Sequence, residues 1–476
     1  MSRVSASDAP SILDQSASAL LADLASRRLS AEALMIATLD RIAERNPAVN
    51  AVVGMAEPEA LLAQARALDA GPITGPLHGL PLAVKDLVEV QGLRSTKGSP
   101  IFAEYVPEKD DVLAARLRVA GAILIGKTNV PEFGLGSHTF NPVYGRTHNP
   151  YNPALTCGGS SGGAGVALAL GMVALADGSD MMGSLRNPAA WSNVYGFRPS
   201  WGRVPAEPVQ DRTLHKMATS GPMARSPADV ALLLDIMSYA DPLRPDVPAP
   251  TATAPLKPAD LSDMRIGWLG DWSGALPMEA GILEQCEASL QVLRDLGASV
   301  ENVAAPLPFE TLWESWITLR SWQVGAGLVA LQDNQDLMKD SVQWELERAL
   351  RMTALEAHGA SAARAQWFAR SVELFQSYDA LILPTTQVWP FDVNLPWPTA
   401  IAGVEMDTYH RWMAVTVPVS LIGLPSLSMP AGFGETGLPV GMQIFGPRGA
   451  DAKILAMGEA YHQETLWPQR HPPKRA

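Results

Sequence analysis

The stretch Gly158-Gly159-Ser160-Ser161-Gly162-Gly163 runs into a series of small residues, 164–169, that reads as a helix. Its glycines admit unusual dihedrals and a close backbone approach. A loop set before a helix also offers free N–H groups to an anion. The spacing Gly-x-Ser-x-Gly of a nucleophile elbow occurs twice here, with Ser160 or Ser161 as the central serine. An elbow needs a strand to feed it, however. Residues 151–157 carry Asn152-Pro153 and make a poor strand, so the α/β-hydrolase reading is weak.

Upstream of this loop, Pro81-Leu82-Ala83-Val84-Lys85-Asp86 sets a lysine inside an apolar strand. Alone, this reads most simply as a strand-end lysine whose head reaches water; a base kept neutral by burial is the alternative. Downstream, Asp180-Met181-Met182-Gly183-Ser184-Leu185-Arg186-Asn187-Pro188 reads as a Gly-Ser turn opening a helix. N–H groups at such a turn point outward and suit an oxyanion hole, although a serine there is more commonly a plain helix cap. One match is a decoy. Gly121-Ala122-Ile123-Leu124-Ile125-Gly126-Lys127-Thr128 fits the Walker A string letter for letter. Its middle is apolar and strand-like, and a helix precedes the strand, which is the wrong order for a phosphate loop. Nucleotide binding is rejected.

The rest of the chain alternates helix and strand. Residues 31–45 have helical periodicity and stop at Asn46-Pro47, residues 81–88 form a strand, and residues 111–120 form a helix leading into a strand at 122–125. Ser226-Pro227-Ala228-Asp229 opens another helix, with serine as cap, proline at the first position and an acid in the first turn. Residues 241–258 are proline-rich and read as an exposed connector. A strand at 265–270 and a helix at 280–296 follow. Residues 313–378 are mostly helical and rich in tryptophan, and 380–383 is a buried strand. The alternation favours a sheet with helices on its faces.

Composition bounds the function. With 47% hydrophobic and 18% charged residues, the chain of 476 residues is globular and can bury a large core. A net charge of −13 argues against a general nucleic-acid binder. Residues 1–10 lack the basic-then-apolar pattern of a secretion signal, and the uncharged stretch 147–176 is broken by prolines and glycines, so neither secretion nor a membrane span is expected. The two cysteines, Cys157 and Cys286, make no disulfide framework and match a reducing compartment; a cytoplasmic location is expected. Cys157, beside Gly158, has no histidine partner and reads as a buried structural thiol. The eight histidines show no close ligand spacing, so no metal site is expected, and His78 and His148 lie near the motifs without being required.

Taken together, the lysine strand, the double-glycine double-serine loop and the Gly-Ser-x-Arg turn resemble the amidase signature family, in its order and at its separations. Residues 126–132, 196–200 and 437–447 add to the resemblance, which is weakest across 241–378. It implies a single α/β/α domain around a large, mixed, twisted sheet, spanning residues 8–470, in which 241–378 is a variable, partly helical region shaping the substrate pocket. It also implies roles. Ser184 is the nucleophile, Ser160 the bridging serine behind a non-proline cis peptide, and Lys85 the base. Backbone N–H groups from Met181, Met182, Gly183 and Ser184 form the oxyanion hole. Asp180 and Arg186 make a supporting ion pair, and Ser161 hydrogen-bonds the triad. The chemistry is coherent: a serine hydroxyl is a poor nucleophile until its proton is removed, and lysine removes it only when neutral. Met182 departs from the family, which usually has glycine there; this bears on rate and pocket shape more than on reaction class.

The resemblance implies hydrolysis of a small-molecule amide, with anilide, ester or carbamate as further substrates, no metal or organic cofactor, and room for a homo-oligomer. Two alternatives stand beside it. One is an amidotransferase subunit that releases ammonia from glutamine and works with partner subunits. The other is a binding protein whose catalysis Met182 has impaired. The first favours a polar pocket, whereas this chain offers Trp313, Trp316, Trp322, Trp344, Trp389, Trp397 and Trp412, most of them expected in the core and some as apolar pocket wall.

Overall fold

The computed structural model describes residues 12–205, 214–243, 247 and 249–474. Five of the described α-helices begin where the sequence supplies a side-chain acceptor for their free N–H groups. Ser16, Ser30, Asp111, Ser226 and Thr353 each cap a helix in this way. The helix Ala31–Val49 runs past the stop expected at Asn46-Pro47, because Pro47 removes only one late hydrogen bond. The chain turns instead at Asn50, in the left-handed region, while the Asn46 side chain accepts from the N–H groups of Ala51 and Val52.

Strands β1 (Val52–Val53), β2 (Pro81–Lys85) and β3 (Ile123–Thr128) form a small sheet in the order β1-β3-β2, with β2 and β3 parallel. Eight more strands build the main sheet: β4 (Leu175–Asp180), β5 (Tyr195–Arg198), β6 (Thr219–Ala224), β7 (Arg265–Trp268), β8 (Ser299–Asn302), β9 (Ala380–Pro384), β10 (Ser426–Phe433) and β11 (Pro439–Phe445). Their order is β8-β7-β9-β11-β10-β5-β6-β4, with β8-β7 and β7-β9 parallel and the rest antiparallel. This is the mixed sheet expected, divided into two. The two sheets meet edge to edge, where the Lys85 N–H on β2 donates to Asp177 Oδ1 on β4 at 2.9 Å. That seam places Lys85 beside the end of β4.

The helix of residues 112–119 precedes β3, and Gly126, Lys127 and Thr128 lie within that strand. The Lys127 ammonium is buried against Val88 O and Asp86, as a structural cation. The connector at 241–258 is regular nowhere among its described residues, yet it is not wholly exposed. Thr253 is buried, with its N–H held by Asp235 and its hydroxyl by Arg203. The region 241–378 has two characters. Strands β7 and β8 with the helix Ile282–Asp295 extend the main sheet. The helices α1 (Phe309–Leu328), α2 (Asp340–Arg351) and α3 (Ala354–Leu374) then form a helical flank.

Two cores result. The larger joins both sheets to the helices on their faces. The second is rich in tryptophan, with Trp191, Trp272, Trp313, Trp316, Trp367 and Trp412 almost wholly buried between the flank and the main sheet. Of the seven tryptophans weighed for a pocket, Trp313, Trp316 and Trp412 are thus core, and Trp322, Trp344, Trp389 and Trp397 are half-buried.

Candidate active site

Lys85 ends β2 with its side chain only 1% exposed. Its Nζ donates to three hydroxyls, Ser160 Oγ, Ser161 Oγ and Ser179 Oγ, each at 2.9 Å. Burial pushes the ammonium down to about 7, against the opposing pull of Asp177 and Asp180. Asp177, on the face of β4 that also carries Ser179, has its carboxyl pushed up to about 6 by its own burial. A lysine at this value exchanges its proton near neutrality, and every hydroxyl around it is placed to receive or supply one.

The glycine-serine loop is held by backbone and hydroxyl contacts. The Gly159-Ser160 peptide is cis. Ser137 Oγ donates to Gly159 O and Thr139 Oγ1 to Gly158 O. The helix Gly162–Ala169 follows immediately. Its second residue, Gly163, packs so closely that a Cβ would stand 2.3 Å from Asn129 N, so no larger residue fits without moving the chain.

The second serine lies on the turn between β4 and the helix Arg186–Trp191. The Ser161 N–H donates to Ser184 O at 3.2 Å and ties the loop to the turn. Gly183 has φ 80 and its missing Cβ faces Thr416 at 2.7 Å, which makes glycine obligatory there. Met182, by contrast, does not have positive φ, and its side chain is 4% exposed within the tryptophan core. Glycine's freedom is therefore not needed at residue 182, and the methionine is a core residue.

Asp180 organises the turn. Its carboxylate accepts from the N–H groups of Gly183 (2.9 Å) and Leu185 (3.2 Å) and from Arg186 through Nε and Nη2, both at 3.0 Å. Arg198 approaches the same carboxylate at 3.2 Å. Burial alone would raise the Asp180 carboxyl, but Arg186 and Arg198 hold it well below the usual carboxylate range. Arg186 is also anchored on Gln443 and on Ser420, the latter at 2.6 Å. Gly183, counted among the oxyanion donors from the sequence, thus has its N–H engaged by Asp180, while those of Met181, Met182 and Ser184 have no acceptor within the turn.

The structure therefore brings Lys85, Ser160, Ser161, Asp180, Ser184 and Arg186 into one buried neighbourhood. Sequence reasoning missed Asp177, Ser179, Arg198 and Gln443. Two signals pointed to them: residues 177 and 179 share a strand face by their spacing of two, and Arg198 and Gln443 sit in the segments 196–200 and 437–447 already marked. Cys157 is inert, since burial pushes its thiol up to about 12. The side chains of His78 and His148 hydrogen-bond to Thr74 and to Pro153, within their own loops. Among the described residues no group of three or more His, Cys, Asp or Glu could hold a metal ion, and no described helix is long and apolar enough to cross a membrane.

The large mixed sheet with helices on its faces matches the structures of amidase signature enzymes. Residues 33–455 match the family model described as Amidase, and the chain belongs to the amidase signature family. It is similar to an acylamidase from Rhodococcus erythropolis, 32% identical over 96% of this chain and 97% of that one. It is also similar to a glutamyl-tRNA(Gln) amidotransferase subunit from Thermus thermophilus, 35% identical over 90% of this chain and 93% of the relative. In structure it resembles a bacterial aryl acylamidase of the amidase signature family, with a TM-score of 0.90, 28% identity, and 97% and 99% of the two chains covered. The chain is an amide hydrolase, acting on carbon–nitrogen bonds other than peptide bonds.

Proposed function

We propose that the reaction runs through an acyl-enzyme on Ser184. The observation that carries this reading is the buried Lys85 ammonium, lowered to about 7 and 2.9 Å from Ser160 Oγ. Neutral Lys85 takes the Ser160 proton as Ser160 takes that of Ser184, and Ser184 Oγ attacks the amide carbonyl carbon. The N–H groups of Met181, Met182 and Ser184 hold the developing oxyanion, and the Gly183 N–H, given to Asp180, keeps the turn in shape. The proton returns through Ser160 to the leaving amine, and water releases the acid by the same relay. Asp180 and Arg186 support the turn, and Ser161 orients Lys85. Nucleophile, relay and base are then all side chains, and the reaction uses no metal or organic cofactor.

The substrate is a small-molecule amide, with anilides, esters and carbamates as further substrates. The names of the acylamidase and aryl acylamidase relatives support the acylamide class. The domain is single, spanning 8–470, and its residues 8–11 lie outside the described ones. The region 241–378 shapes the pocket through its helical flank. The unpaired state of Cys157 and Cys286 supports a cytoplasmic enzyme. An amidotransferase role is the second reading, favoured by the relative from Thermus thermophilus. Fluorophosphonate labelling tests the nucleophile: label on wild type and none on Ser184→Ala is expected. Turnover of anilides and aliphatic amides but not of free glutamine separates the two roles; glutamine as the sole substrate would reverse their order.

A further inference from the structure

The oxyanion turn is gripped from the helical flank as well as from the sheet. Arg320, on α1, is 4% exposed, and its Nη1 donates to Met181 Sδ at 3.1 Å. An ion pair and one further hydrogen bond hold its guanidinium. Nε lies 2.7 Å from Glu345 Oε1 on α2, and Nη2 donates to Tyr409 Oη at 2.6 Å. Tyr409 Oη in turn donates to Glu345 Oε1 at 2.7 Å, and Ser321 Oγ holds Glu345 Oε2 at 2.8 Å. Burial works against the Arg320 charge, and Glu345 and Tyr409 overcome it, so the cation persists in a dry setting. A few residues after Tyr409, Thr416 packs its methyl against Gly183 and its carbonyl accepts from Arg186. The turn thus touches this network at Met181, and the segment that follows Tyr409 at Gly183.

We propose that Arg320 is a positioning residue: through Met181 it fixes the N–H groups that face the oxyanion and so couples the helical flank to catalysis. A thioether is a weak acceptor, and a buried guanidinium N–H directed at one, its charge balanced by Glu345, is well placed to hold the side chain. Fixing the Met181 side chain fixes its backbone, because Asp180 before it is locked by two arginines. Small displacements of oxyanion donors are costly in rate while leaving ground-state binding little changed.

This inference rests on Ser184 as nucleophile. Its test compares wild type, Met181→Leu, Arg320→Lys, the double variant and Ser184→Ala on one anilide, with a boronic acid as tetrahedral analogue. Leucine keeps the bulk of residue 181 and removes the acceptor; lysine keeps a cation beside Glu345. Each single variant should lower kcat roughly tenfold with KM within about twofold, and weaken boronic acid binding in step with kcat/KM. The double variant should be no worse than the poorer single one, because both remove the same contact. Melting temperature for Met181→Leu should stay near wild type. An unchanged kcat in Met181→Leu, or losses that multiply in the double variant, would overturn the proposal while Ser184→Ala stays inactive. Activity in Ser184→Ala would instead remove the reading beneath it.

Discussion

Two buried carboxylates, Asp180 in the motif core and Glu345 in the helical flank, use the same device at different ranges. Both are wholly buried, and both face arginine. Asp180 draws its partners from 6 and 18 residues away, along one turn and the next strand. Glu345 draws on Ser321 and on Tyr409, 24 and 64 residues away, across two helices and a loop. Asp180 also accepts two backbone N–H groups of the turn that carries Ser184, whereas Glu345 reaches the turn only through Arg320 and Met181. The first network sets the shape of the turn. The second fixes where a separate set of helices sits against it.

The widest contrast comes from the motif core itself. Ser184→Ala should lower kcat by roughly four to six orders of magnitude with an unchanged melting curve. Near-normal turnover would sever the turn from the chemistry. Next comes pH. Lys85 works as a base only when neutral, and its value is about 7, so kcat/KM should fall about tenfold per unit below that point and level off above it. Asp177, at about 6, titrates just below and is protonated after Lys85 as acid is added. A profile rising towards acid would count against the base, and Lys85→Arg should be inactive at every pH because guanidinium holds its proton.

The two carboxylates can then be set against each other by urea unfolding. Asp180→Asn leaves two buried guanidinium groups without a charged partner and should cost about 3–5 kcal/mol, together with most of the turnover. Glu345→Gln leaves one, with the Tyr409 hydroxyl still in reach, and should cost about 2 kcal/mol with turnover falling far less. Equal losses of stability and rate in both would erase the distinction drawn between the regions. The smallest effect belongs to Met182. Because its side chain packs into the tryptophan core, Met182→Leu should change stability by less than about 1.5 kcal/mol. The ratio of kcat/KM for a bulky and a small amide should stay the same; a shifted ratio would place residue 182 on the substrate wall.

Much of the motif core was legible in the chain because its parts are local. Lys85 at a strand end, the glycines beside Ser160 and the Gly183-Ser184 turn each declare a backbone requirement within a few residues, and capping serines such as Ser226 do the same for helices. The end of the first long helix was misplaced because Pro47 falls where one lost hydrogen bond is tolerated. The connector at 241–258 looked uniformly exposed because its anchor, Asp235, lies in the preceding helix. The role of Met182 could not be read at all, since a side chain's direction depends on what packs around the turn.

The alternation of helices and strands, the glycine positions and the order of the reactive side chains are written in the chain, since they follow from dihedral limits and short-range hydrogen bonding. Packing is what brings β2 against β4 at a seam, which sets Ser179 and Asp177 beside Lys85 and, by excluding water, brings the lysine to about 7. Packing, too, joins Arg320, Glu345 and Tyr409 and aims them at Met181. Desolvation and long-range pairing belong to the packed whole, because both depend on which distant segments close over a group.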